Sequence, residues 1–273
     1  DGIEVGARKR DHELYIYQNL IARCGLTFTL HEMEADEGAT KVNPGSGIYI
    51  TRNLIDLRQG LFKGPPREPD PTGVFLKSRA TLCGDHGSPV WPDYWFYHNT
   101  IMRTDPPWRG YYGHGIGGRG TRGNQRAVLN NIFVQAQGLP GLAFNTAATH
   151  YRINGNLHWG LLDGAKFQGD FFKTKSRTFA FRKQPPPEAW FKQDQFANPR
   201  FTKLTPDPDA NVDLTLQKGS TAENAGVAIE PEWPDPLRTK DEGKPDLGAI
   251  PMGTAPWRVG VRGRLSLFDN PTQ

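Results

Sequence analysis

A chain of 273 residues with 36% hydrophobic residues is long enough for one large domain or two smaller ones. Its 31 glycines and 23 prolines favour many short strands joined by turns over long helices. The net charge of +4 is compatible with an acidic polymer as partner, and no apolar run is long enough to cross a bilayer.

The first strand pattern along the chain begins with glycine and has apolar residues at its second and fourth positions. These Gly-type strands occupy 2–6, 25–29, 73–77 and 141–145. The period of two predicts that the apolar positions face a core and the residues between them face outward. Glu4 is therefore an outward residue of the first strand.

A second strand pattern centres on an asparagine that has an apolar or aromatic residue three positions before it. The pattern occurs five times, around Asn19, Asn53, Asn99, Asn131 and Asn156. Its alternation breaks phase at the asparagine, which predicts a bend in each copy. Parallel stacking would place like residues over like, about 4.8 Å apart. We therefore expect the asparagine side chains to form one continuous hydrogen-bonded ladder.

The spacing of the asparagines favours stacked coils with loops of different length. Successive asparagines are 34, 46, 32 and 25 residues apart. A unit of this size cannot bury its apolar face alone, so the copies must stack as a solenoid. The fold class predicted from this pattern is all-β.

The segment 161–213, which follows the repeats, is aromatic and basic. The prolines before Glu188 are compatible with one short helix, because proline is tolerated in a first turn. We expect this segment to pack over the last coil and to cover its open edge. Its aromatic side chains then form the core of a cap, in preference to a ligand-binding surface.

The repeats and the tail resemble the right-handed parallel β-helix proteins of the pectate-lyase-like superfamily. In the tail, GSTAENAG (219–226) and PDLGAIPMG (245–253) are similar to the segment that ends many bacterial proteins of this kind. Thr221 and Glu223 stand where Pro and Ile or Asp are usual. The sequence does not identify one enzymatic family within the superfamily.

This resemblance implies a single domain, a single-stranded right-handed parallel β-helix with an irregular C-terminal capping segment. Residues 1–160 would form the coils, and 161–273 the last coil, the cap and the tail. The N-terminus, which has no initiator methionine, is interpreted as a cut through a repeat, with the preceding coils missing.

Outward polar residues of the Gly-type strands make the best candidate catalytic site. The candidate catalytic residues are Lys77, Arg79 and Glu4, and His31 and His86 are candidate substrate-binding residues. Lys77 and Arg79 are two residues apart on a strand, so both should point to one face. One cation would neutralise the carboxylate of an acidic sugar while another group removes its α-proton. A solvated charged face is the alternative for each residue taken singly.

The longest loop between coils, 103–126, is rich in glycine and begins and ends with arginine. Within it, Trp108 would stack on a sugar ring, because aromatic faces suit such contacts. Arg109, Arg119 and Arg122 would pair with carboxylate or sulfate groups. These four residues are further candidates for substrate binding. The alternative, a flexible surface loop, stays open.

No cofactor or metal site is indicated by the sequence. The seven histidines show no ligand spacing, and Cys24 and Cys83 form no CxxC motif. A Ca²⁺ site of the pectate-lyase kind would need a carboxylate cluster, to which only Asp1 and Glu4 could contribute. Basic residues are dispersed among acids, which argues against nucleic acid as partner. Whether the two cysteines pair or remain buried thiols stays open.

The resemblance implies a secreted or cell-surface monomer that binds an acidic polysaccharide and cleaves it as a lyase or glycoside hydrolase. No signal peptide is visible in this chain. In the alginate-lyase and chondroitinase-like branch, a lysine and an arginine act as base and acid. Lys77 and Arg79 match these residue types. The alternative function is a non-catalytic, adhesin-like or structural module.

Overall fold

The computed structural model describes residues 3–7, 13–22, 26–32, 47–58, 81–84, 93–103, 125–135, 151–161, 188–207, 210–241 and 243–256. These ranges contain sixteen short strands, one 3₁₀ helix (Arg238–Lys240) and no α-helix. The strands are β1 (Ile3–Ala7), β2 (Glu13–Tyr17), β3 (Leu20–Ala22), β4 (Leu26–Glu32), β5 (Gly47–Thr51), β6 (Leu54–Leu57), β7 (Thr81–Gly84), β8 (Asp93–Tyr97), β9 (Thr100–Arg103), β10 (Arg126–Leu129), β11 (Ile132–Gln135), β12 (Arg152–Asn154), β13 (Leu157–Gly160), β14 (Gln195–Phe196), β15 (Phe201–Lys203) and β16 (Asp213–Leu216).

Three parallel sheets are built from strands that recur in a fixed order. Sheet A contains β1, β4 and β7; sheet B contains β2, β5, β8, β10 and β12; sheet C contains β3, β6, β9, β11, β13 and β14. The chain passes from A to B to C three times in succession before it continues with pairs of B and C strands. The predicted all-β class is confirmed, and the parallel stacking is consistent with a parallel β-helix or a similar solenoid.

The predicted asparagine ladder is present between sheets B and C. The Nδ2 group of each asparagine donates to Oδ1 of the next one, at 2.9 Å from Asn19 to Asn53 and 3.0 Å from Asn131 to Asn156. The backbone N–H of each residue donates to the same oxygen. Asn53, Asn99 and Asn131 are fully buried. Burial without such partners would be costly, so the ladder fixes the register of the coils.

A residue with left-handed backbone conformation makes the bend before each asparagine. The φ angles are 52° at Gln18, 53° at Arg52, 50° at His98, 57° at Asn130 and 67° at Gly155. At Gly155 the space is also restricted, since a Cβ atom would lie 2.8 Å from Oδ1 of Asn130. The predicted phase break is therefore one left-handed residue per coil, which turns the chain from sheet B into sheet C.

Aliphatic and aromatic side chains from all three sheets fill the interior. Ile16, Ile50, Phe96, Val128 and Ile153 stack in register along sheet B, three residues before their asparagines. Phe28 of sheet A packs edge-on against Phe96, with ring centroids 6.3 Å apart. The sequence repeat thus becomes one continuous core.

A sixth turn, which the sequence interpretation missed, closes the ladder with a carboxylate. Asp194 accepts the backbone N–H of Asn156 at 3.0 Å, and its second oxygen lies 2.8 Å from Nε2 of His158. The His158 ring stacks between Phe133 and Phe196. Buried Trp190 contacts the last coil through its indole N–H, which donates to the Tyr151 carbonyl at 2.7 Å.

The described residues that follow the prolines, from 188 onward, do not form the suggested short helix. Residues 188–193 are turns that lead into β14. Phe191 and Trp190 lie in the interior cluster, as expected for the core of a cap. Both aromatic rings lie over the last coil. Burial of these rings, and not helix propensity, therefore determines the local structure.

The tail covers the outer faces of sheets B and C. The antiparallel pair β15–β16 contributes Phe201, Leu214 and Leu216 to a cluster with Ile132 and Val134 of sheet C. Trp233 packs with Tyr49, Tyr97 and other outward residues of sheet B. The two tail motifs are hydrogen-bonded to each other, because Leu247 N–H donates to the Ala222 carbonyl at 2.9 Å.

Candidate functional site

Two of the predicted site residues lie on neighbouring strands of sheet A. Glu4 of β1 pairs with Thr29 of β4, and His31 pairs with Gly6. Phe28 of β4, the residue before Thr29, is buried in the interior. Glu4 and Thr29 share one register position of this sheet, and Gly6 and His31 share the position two residues further along both strands.

The other predicted site residues lie outside the described ranges. They are Lys77, Arg79, His86, Trp108, Arg109, Arg119 and Arg122. The predicted Gly-type strands 73–77 and 141–145 lie there too. The strand that pairs with β4 is β7, in which Cys83 is the register partner of Phe28. Cys24 is also outside the described ranges, so whether it pairs with Cys83 stays open.

The two ends of the predicted arginine-rich loop belong to strands. Arg103 is the last residue of β9 and is buried, which excludes it from a solvent-facing groove wall. Arg126 is the first residue of β10 and is 2% exposed. Its guanidinium lies 4.3 Å from the ring centroid of Tyr94. Both side chains are covered within the coils, so the arginines at the two ends of the loop are not part of an exposed surface.

A buried polar cluster joins the left-handed corner of the coils to the tail. Arg52 is fully buried and donates from Nε and Nη2 to the two oxygens of Asp235, at 3.0 and 2.8 Å. Nη2 also lies 2.8 Å from Asp241, and Nη1 donates to the Gly248 carbonyl. Arg52 therefore satisfies two carboxylates and one carbonyl of the tail.

The next corner residues continue this attachment. Nδ1 of His98 lies 3.0 Å from the Asp246 carbonyl. Asn130 donates to the Val227 carbonyl at 2.8 Å and accepts the Val227 N–H at 2.7 Å. We name Arg52, His98 and Asn130 the corner column. The column binds the tail through side chains, although sequence periodicity assigns those positions only to a bend.

The electrostatics of the corner column favour a charged Arg52 and a neutral His98. Burial would lower the pKa of Arg52, but hydrogen bonds and the charges of Asp235 and Asp241 raise it. Burial would raise the pKa of Asp235, yet its paired bonds with Arg52 bring that pKa below its ordinary value. Burial dominates at Asp241, whose pKa is raised. Burial, and then the Arg52 charge, lower the pKa of His98 well below its usual range.

The depressed pKa of His98 predicts a loss of stability in mild acid. Below pH ~6.5 the unfolded chain gains a proton at this histidine that the folded protein does not bind. We expect the free energy of unfolding to fall from pH 7 to 5, by up to about 1.4 kcal/mol per pH unit from this group. His98→Gln should flatten that dependence, and Gln18 shows that glutamine adopts the same backbone conformation. Urea unfolding at several pH values measures this; an unchanged slope would contradict the assignment.

An aromatic column on the outer face of sheet B was also missed. Tyr15 stacks on Tyr49 with ring centroids 5.3 Å apart, and Tyr49 stacks on Trp95 at 4.5 Å. Both tyrosine hydroxyls donate to Glu13, and the Glu13 charge, after burial, helps raise the pKa of Tyr49 to about 12. The sequence contains a signal for this aromatic column, since the three rings lie four residues before successive asparagines.

The described part of the tail contains an open polar cleft of about 640 Å³ next to the corner column. Its lining includes Glu223, Lys240 and Asp246. The Asp246 carboxylate already accepts the backbone N–H groups of Asn224 and Met252, both at 2.6 Å. The bond from Asn224 joins the two tail motifs and the bond from Met252 lies within the second motif, so Asp246 has a structural role here.

Within the described ranges, no three His, Cys, Asp or Glu side chains form a group that could hold a metal ion. The same ranges contain no helix long and apolar enough to span a membrane. Comparisons of the chain with protein-family models, curated proteins and solved structures find no match.

Proposed function

We propose that the chain is a right-handed parallel β-helix of the pectate-lyase-like kind that binds and cleaves an acidic polysaccharide along sheet A. The observation that carries this proposal is the packing of the tail. Its apolar residues cover the outer faces of sheets B and C. Within the described ranges these clusters join the tail to sheets B and C, and we therefore assign the ligand to the outer face of sheet A, where Glu4 and His31 lie on adjacent strands.

The parallel register supports binding of a polymer along this face. Strands in a parallel stack repeat every ~4.8 Å, which presents side chains from successive coils in a row. A long flexible sugar chain can contact such a row at several points. The net charge of +4 favours a polyanion such as a uronic-acid polymer.

The proposed reaction is β-elimination at a uronic acid. A cation, Lys77 or Arg79, neutralises the sugar carboxylate and so acidifies the neighbouring C–H group. A base removes that proton, and the electron pair forms a C=C bond as the glycosidic C–O bond breaks. A general acid protonates the departing oxygen. Glu4 supplies a carboxylate at the same face, and His31 contributes to substrate binding.

The test is turnover of a panel of uronic-acid polymers, followed by the absorbance of the unsaturated product. We expect Lys77→Ala and Arg79→Ala each to lower kcat/KM by about 100-fold or more, the usual size of general acid–base effects. Lys218→Ala, in the exposed turn after β16, is the charge-matched control and should retain activity. Arg262→Ala provides a second control in the C-terminal segment.

The outcomes separate the possible functions. Release of reducing ends without the absorbance would indicate a hydrolase. Binding that depends on Lys77 and Arg79 without turnover would support a non-catalytic, adhesin-like module. Equal loss of affinity in all four variants would reveal only general basicity and contradict a site on sheet A. A secreted or cell-surface location belongs to the same proposal.

A further inference from the structure

The first coil of the described solenoid has an exposed apolar end. The large hydrophobic side chains that are exposed in the described ranges are Leu14, Tyr15, Tyr17 and Leu20. All four lie on β2 and β3, and Tyr17 and Leu20 are each 48% exposed. The strands β1, β2 and β3 are also the terminal strands of sheets A, B and C. One end of the stack therefore combines apolar surface with three strand edges, a combination that favours pairing with another strand.

The asparagine ladder has a direction, and it begins at this end. Every later asparagine accepts bonds from the N–H and the side-chain amide of the asparagine before it. The bonds of Asn19 are donations to Asn53 and to the Tyr17 carbonyl, and no described residue donates to its Oδ1. The first rung thus offers an acceptor that the other rungs use.

The opposite end of the stack is closed. Asp194 accepts the Asn156 N–H, and its side chain has no amide N–H group with which to continue the ladder. Trp190 and Phe191 are buried over the last coil, and the Phe191 N–H donates to the Ile153 carbonyl at 2.8 Å. The exposed first coil is therefore not a general property of the stack.

We propose that this exposed end is a docking face for one further parallel β coil that carries the repeat of the described coils. Such a coil, stacked on β1, β2 and β3, continues the order from sheet A to sheet B to sheet C. A second copy fits less well. Its closed end buries the Asp194 side chain and offers no ladder donor, and its open end presents another Asn19 acceptor.

The residue types of the docked coil follow if each row of stacked side chains continues by one position. It carries an asparagine over Asn19 that donates both of its N–H groups to Oδ1. Three residues earlier an apolar side chain packs on Ile16, and two residues after the asparagine another packs on Ile21. Four residues before it, an aromatic ring stacks on the exposed face of Tyr15. The occupant is thus a coil with the same repeat as the described ones.

The test extends the full chain by a copy of residues 1–25 placed ahead of Asp1. A 25-residue step matches the pairing of Ile3 with Phe28 and the step from Asn131 to Asn156. We expect hydrogen exchange of the backbone amides of 13–22 to slow by about tenfold or more, because edge strands open more readily than interior strands. The matched control has aspartate at the copied position of Asn19. It places a carboxylate beside the Asn19 oxygen and should abolish most of the protection at pH 7.

Two results would overturn the proposal. The first is unchanged exchange in 13–22 of the extended chain, or equal protection by the asparagine and aspartate copies. The second comes from the unextended chain and does not depend on folding of the added coil. A dimer detected by light scattering, and dissociated by Leu20→Glu, would show that a second copy covers this end. A monomer that binds a hydrophobic dye through Leu20 would support the docking face.

Discussion

Replacing Arg52 by leucine is expected to destabilise the protein by about 3–5 kcal/mol, the usual cost of removing one partner of a buried ion pair. Arg52 is fully buried, and the side chains of Asp235 and Asp241 are 2% and 5% exposed. Without the guanidinium, two carboxylates would lie beside each other with no cation. The tail would then lose its attachment to the coils or take up protons.

Urea unfolding, monitored by far-ultraviolet circular dichroism, measures the effect of Arg52→Leu. The matched control is Arg152→Leu, whose exposed side chain pairs with Glu230 and should change stability by no more than about 1 kcal/mol. Addition of Asp235→Leu to Arg52→Leu should recover part of the loss, since it removes one uncompensated charge. Equal effects of the two arginine substitutions would contradict a specific role for Arg52.

Asn99→Leu is expected to cost about 3 kcal/mol, because two buried donors of Asn53 would lose their acceptor at ~1–3 kcal/mol each. Those donors are the backbone N–H, 3.0 Å from Oδ1 of Asn99, and the side-chain amide at 2.9 Å. Leucine would also remove the donation from Asn99 to Asn131. Asn19→Leu, at the exposed end of the ladder, removes the hydrogen bonds that the Asn19 side chain donates. No other asparagine of the ladder loses its acceptor.

The comparison of Asn99→Leu with Asn19→Leu tests the ladder by position. Thermal or urea unfolding should show a much larger loss for the interior residue than for the end residue. Equal losses at both positions would indicate independent turn asparagines. No measurable loss at Asn99 would show that its side chain has no buried partners.

The ladder was predictable because its signal is local and repeated. Each asparagine carries the same flanking residues, and a buried amide needs partners that only the neighbouring copies supply. Asp194 was missed because its side chain breaks the asparagine pattern. Its flanking residues kept that pattern, since Phe191 stands three positions before it and Phe196 two positions after.

The attachment of the tail was not predictable from periodicity. Arg52 and Asp235 are 183 residues apart, and the residues that make the bends have little in common as side chains. A glutamine, an arginine, a histidine, an asparagine and a glycine share only a left-handed backbone. Long-range pairing of this kind leaves no repeat in the sequence, so the corner column is recognised only once the coils are stacked.

Two strands of sheet A were predictable, because the period of two depends only on local geometry. Glu4 and His31 lie on these strands, and their roles in a site stay predictions. The third strand of that sheet is β7, which lacks the initial glycine and the apolar spacing of the predicted pattern. The roles of Lys77 and Arg79 stay predictions.

The most direct test of the stacked coils is nuclear magnetic resonance of protein with labelled asparagines, detecting couplings through hydrogen bonds from each side-chain amide to the next carboxamide. The described structure predicts four connections in one direction, from Asn19 to Asn53, Asn99, Asn131 and Asn156. It also predicts slow exchange of the interior amide protons, since the three middle residues are fully buried. Rapidly exchanging side-chain amides with no couplings between successive asparagines would contradict it.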